Sequence, residues 1–102
     1  MLRWIVLLAG LRPEEQVDVI VQNEPTLEDR VQRLVANIGR YKERDRAQLE
    51  EIISDLEAVL DTLDGLISAL ENIGGKDRAL SLRKRLRNNQ TRAQRALARL
   101  EA

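Results

Sequence analysis

From Leu49 to Ile73 the apolar residues fall at Leu49, Ile52, Leu56, Val59, Leu63, Leu66, Leu70 and Ile73, at alternating steps of three and four. Such an alternation is a heptad with apolar a and d positions, so the stretch has to be a helix that buries one side against other helices. Ile53, Leu60 and Ile67 add the e column and widen the seam into the stripe of a bundle helix.

Composition agrees with a mainly α fold, an antiparallel helical hairpin or bundle with heptad, coiled-coil-like packing. A chain of 102 residues has room for one domain with a modest core. Its aromatic residues are Trp4 and Tyr41 alone, and 33% of the chain is charged, so aliphatic side chains must fill the interior and long polar ones cover it. Cys and His are both missing, which removes disulfides, thiolate chemistry, Ser-His catalysis and the usual zinc ligands. No cofactor and no metal is therefore expected. Glu50-Glu51 and the pair Asp61 and Asp64 are the nearest thing to acid-base machinery. They fall on the outer surface of a narrow bundle, where nothing encloses a carboxyl group or shifts its pKa, and the expectation is a non-enzymatic protein.

Residues 1–23 form an apolar N-terminal segment. Its first part, Met1 to Leu11, is only about half of the ~20 apolar residues a membrane span needs, and it lacks the basic start and cleavage pattern of a secretory leader. A short buried helix in a soluble, cytoplasmic protein is expected, with peripheral membrane attachment disfavoured. Trp4, the one tryptophan, is the candidate interaction residue of this segment. Pro13-Glu14-Glu15-Gln16 has the form of a helix first turn. The β-branched Val17, Val19, Ile20 and Val21 complicate it, so short helices compete with a β-hairpin pairing Val17–Gln22 with Leu2–Leu8. Asn23-Glu24-Pro25 reads as a break, and Thr26 with Asp29 as the cap of a new helix.

The segment 26–73 reads as one heptad helix or as two, broken near 39–45. Leu27, Val31, Leu34, Ile38 and Tyr41 keep a heptad rhythm that is out of phase with Leu49. A recurring phrase favours the break: Asn37-Ile38-Gly39 followed by Asp45-Arg46-Ala47, and Asn72-Ile73-Gly74 followed by Asp77-Arg78-Ala79. Both copies suggest a helix end, a turn and an Asp-capped start. Gly74-Gly75 then serves as a left-handed C-cap, with Asp77 opening a basic C-terminal helix over 77–101. The seam of that helix is thin, with Ala79, Leu82, Leu86, Asn89, Ala93, Ala96 and Leu100.

The net charge of zero hides a segregation. Residues 45–73 hold one basic and eight acidic side chains, and residues 74–102 hold nine and two. Glu50, Glu57, Asp64 and Glu71 form one column of the acidic helix, and Arg78, Arg85, Arg92 and Arg99 one column of the basic helix. An antiparallel hairpin sets these columns side by side and uses them to choose partner and orientation. Arg83, Lys84, Arg87 and Arg95 then remain free, and nucleic acid becomes the second partner class. Against it stand the acidic neighbour and the shortage of aromatic residues for stacking. Asn89 at a seam position is a further candidate contact, for register or for another chain.

Gln94, Leu97, Leu100 and Glu101 resemble the end of the last helix of the BAG domain, a three-helix bundle that binds the nucleotide-binding domain of a heat-shock chaperone. The resemblance implies a co-chaperone. The Arg that the family places eight residues before that Gln is Leu86 here. The leading expectation is a helical interaction or assembly module, joined to itself as a homodimer or higher oligomer or to another helical protein. A central stripe too wide for its neighbours is the physical ground for it.

Overall fold

The computed structural model describes residues 2–102 and contains no strand among them. Its elements are α1 (Arg3–Val6), a 3-10 turn (Leu7–Gly10), α2 (Pro13–Ala36), α3 (Lys42–Ala69) and α4 (Ile73–Glu101). α2, α3 and α4 pack against one another in an up-down-up bundle of 45 × 23 × 18 Å. At 1.5 Å per residue the 28 residues of α3 span nearly the whole long axis.

Cross-helix pairs fix the directions. Arg30 with Asp55 sets α2 antiparallel to α3, and Arg46 with Glu101 together with Arg83 and Asp64 sets α3 antiparallel to α4. Asp18 with Arg78 and Glu24 with Arg85 make α2 and α4 parallel neighbours.

The heptad stripe is the core. Leu49, Ile52, Leu56, Val59, Leu60, Leu63, Leu66 and Leu70 are buried, and Ile53 and Ile67 are half-buried at its edge. Ile73 is not part of it. α3 stops at Ala69, and Ile73 opens α4 with 78% of its surface exposed. Both flanks of the stripe are closed within one chain, by Val17, Ile20, Leu27 and Val31 of α2 and by Ala79, Leu82, Leu86, Ala93, Ala96 and Leu100 of α4. The surplus predicted to need a second chain does not exist on α3.

The largest correction concerns α2. The hairpin weighed against short helices at Val17–Gln22 is absent, the break expected at Asn23-Glu24-Pro25 is helix, and Thr26 caps nothing because it sits mid-helix. The helix starts at Pro13, where the missing N–H of the first helical position costs nothing, with Glu14 and Glu15 at the positive end of the dipole. Pro25 lies inside it on the exposed side, a position that ordinarily costs about 3 kcal/mol or more. Burial on both sides of the proline holds the helix together. Val17, Ile20, Glu24, Leu27 and Val31 step three, four, three and four, and the two halves pack on the same neighbours.

The turns differ from expectation as well. α2 ends at Ala36, and Gly39 in the left-handed region (φ 90°) reverses the chain. α3 begins at Lys42, three residues before Asp45, which is buried and whose Oδ2 accepts from the backbone N–H groups of Gly39 (3.0 Å) and Tyr41 (3.2 Å). Between α3 and α4 the C-cap is Leu70, not Gly74-Gly75, and the N-cap of α4 is Asn72, not Asp77. Asn72 Oδ1 accepts from the N–H of Gly74 (2.8 Å) and of Gly75 (3.3 Å), satisfying two first-turn donors. A Cβ on Gly74 would lie 3.2 Å from that same oxygen, so the small residue lets the cap close.

Candidate interaction surfaces

On α4 the ion pairs do not follow the predicted columns. Arg78 and Arg85 turn away from α3 and meet Asp18 and Glu24 of α2. The Glu24 pair is bidentate, from Arg85 Nε (2.8 Å) and Nη2 (3.1 Å), with the carboxylate largely buried. Arg83 and Arg87, predicted to stay free, are the residues that engage the acidic column of α3, at Asp64 and Glu57. A three-helix bundle gives α4 two flanks, and its two basic columns go to different neighbours. Hydrogen bonding to Asp64 and to Glu24 holds the guanidinium groups of Arg83 and Arg85 above the usual arginine value.

Lys84 and Arg95 are exposed and make no ion pair among the described residues; the same holds for Arg92 and Arg99. Asn89 is buried in the bundle rather than turned to solvent. The polar residue that organises this level is its neighbour Gln90, only 1% exposed. Gln90 Nε2 donates to Glu57 Oε2 (2.6 Å) and to the Ile53 carbonyl (3.4 Å), while its Oε1 accepts from Arg87 Nη1 (2.7 Å). A fully satisfied polar group in an apolar seam favours one register over its neighbours. The sequence signal for it was faint: Leu86 to Ala93 spans seven residues, and either 89 or 90 completes the rhythm.

At the N-terminal side, Met1 lies outside the described residues. α1 lies beside the middle of α3, where Leu2 and Ile5 border Glu51, Ser54, Asp55 and Ala58. Trp4 is half-buried against the core. Leu8 is buried, whereas Val6 and Leu7 are 63% and 75% exposed. Seven large apolar side chains between Leu2 and Leu11 thus yield one core residue. No helix among the described residues is long and apolar enough to cross a membrane.

Nothing among the described residues assembles into a metal site. Glu50, Glu51 and Asp61 stand on the surface, and Asp64 is occupied by Arg83. At the positions that resemble the BAG domain, Gln94 is exposed, Glu101 pairs with Arg46, Leu100 is buried, and Leu86 is a core residue with no surface to offer a partner. No family model, no curated protein and no solved structure matches the chain.

Proposed function

We propose that the chain is a non-enzymatic helical interaction module that associates with a second copy of itself through the outer face of α1. The observation that carries this reading is the apolar surplus of residues 2–11, with Val6 and Leu7 turned outward beside the half-buried Trp4, Ile5 and Leu11. Covering one such side chain contributes roughly 1.5–3 kcal/mol, and a two-fold axis would use each of them twice. Zero net charge sets no repulsion between copies.

Sedimentation velocity across the micromolar range tests it. Wild-type protein is expected to move from monomer to dimer, and the double substitution Val6→Glu/Leu7→Glu to remain monomeric with unchanged helicity. A wild-type chain that stays monomeric throughout would sink the proposal. Binding of phosphatidylcholine vesicles by the wild type alone, without self-association, would replace it with peripheral membrane attachment.

A further inference from the structure

We infer that the cleft between the C-terminal turns of α2 and the first turns of α3 binds single-stranded nucleic acid, a site distinct from the α1 face. The cleft has a volume of about 360 Å³ and continues along the two helices into a second of about 230 Å³. Its walls carry Arg33 from α2, Asn37, Arg40 and Tyr41 from the turn, and Arg44, Asp45 and Gln48 from α3.

Three features of this wall point to a phosphodiester chain with bases. The first is uncompensated positive charge. Arg44 has no ion-pair partner among the described residues, and Arg40 meets only the Tyr41 ring, 5.8 Å from its centroid. Acidic residues close by are engaged or set aside: Asp45, itself in the cleft wall, is buried and committed to the backbone of the turn, Asp29 pairs with Arg33 (3.0 Å), Glu51 stands in the adjoining cleft, and Glu43 lines a different one, beside α4. The second is the kind of cation. Fourteen of the seventeen cations of the chain are arginine, including all of those in this wall, and a guanidinium fork matches two phosphate oxygens where an ammonium offers a point charge. The third is Tyr41. It is 58% exposed, with Arg40 at its ring, and presents an open aromatic surface at the cleft mouth on which a base can stack. Asn37 and Gln48 add amide groups able to meet base edges.

The same end of the bundle collects the arginines of α4 that have no ion pair among the described residues. The Arg46–Glu101 pair pins the C-terminus of α4 beside the start of α3, so Arg92, Arg95 and Arg99 extend the positive surface around that end. The basic helix thus contributes as a secondary contact, and the aromatic stacking residue that its own sequence lacks is supplied by the turn.

Fluorescence anisotropy with labelled oligouridine and oligothymidine, a DNA duplex and oligoglutamate, each at several salt concentrations, tests this. Wild-type protein is expected to bind the single strands with salt-sensitive affinity and to bind oligoglutamate negligibly. Arg40→Glu/Arg44→Glu should lose at least tenfold in affinity and flatten the logarithmic salt dependence by about 1.4, at roughly 0.7 per phosphate contact. Lys76→Glu/Lys84→Glu makes the same change in net charge at the other end of the bundle and should stay close to wild type. Tyr41→Ala should weaken single-strand binding about tenfold. If charge reversal at 40 and 44 impairs folding, as read by circular dichroism, Arg40→Gln/Arg44→Gln takes its place. Absence of strand binding, equal loss in both charge-reversal pairs, or equally tight binding of oligoglutamate would overturn the proposal, the last in favour of an acidic protein partner.

Discussion

Asn-Ile-Gly occurs at 37–39 and again at 72–74, and where the first copy closes a helix the second opens one. At the first, the Asn37 side chain donates back to the Arg33 carbonyl (2.9 Å), Gly39 adopts a positive φ, and Asp45 reaches back from α3 to hold the loop. At the second, the Asn72 side chain accepts forward from Gly74 and Gly75, and neither glycine is left-handed. Two local differences decide the matter. Leu70 is the buried, extended C-cap of α3, which leaves only Glu71 and Asn72 before the next helix. The Asp that follows each tripeptide also differs in distance: Asp45 lies eight residues beyond Asn37, within reach of the loop N–H groups, whereas Asp77 lies five beyond Asn72 and is already inside α4. A tripeptide has no fixed meaning at a helix boundary; the acceptor within reach assigns it.

Substitutions separate the two turns. Asp45→Ala should have the largest effect, a loss of about 2–3 kcal/mol in chemical denaturation, because two N–H groups held by one carboxylate oxygen are left unmet in a partly buried turn. Gly39→Ala should cost about 1–2 kcal/mol, since an L-residue at that positive φ is strained. Asn72→Ala should cost about 1 kcal/mol, the usual value of a lost N-cap. Asp77→Ala is expected to stay within about 0.5 kcal/mol of wild type. A large loss at Asp77 together with a negligible one at Asn72 would mean that α4 starts where the tripeptide comparison alone places it.

The seam of α3 was legible because each of its residues can be assigned by its own spacing, with no knowledge of what covers it. Leu49 to Leu70 were expected in the core and are there. α2 was not legible, although its rhythm was on display. Glu24 occupies a seam position next to a proline, and both look like punctuation until Arg85, 61 residues away, satisfies the carboxylate. The charge columns failed for a related reason. Neighbours in sequence were assumed to be neighbours in space, which holds for a hairpin and not for a helix with a second, parallel companion. The surfaces follow suit. The apolar surplus near Trp4 could be suspected from the run itself, while the arginine and tyrosine cleft depends on a turn that sets α2 against α3 and could not be read from any single stretch.

The parallel arrangement of α2 and α4 also bears on the order in which the molecule comes together. Asp64 and Arg83 close a loop of 19 residues, whereas Glu24 and Arg85 close one of 61, a difference of about 1 kcal/mol in chain entropy before any contact is made. Arg30 and Asp55 close a loop of only 25 residues, so the two antiparallel hairpins form at nearly the same entropic cost, and we expect the parallel seam of α2 with α4 to close last. The cleft lies within the α2–α3 hairpin and is in place early, whereas the Arg85–Glu24 clasp belongs to the last contact made and the first released.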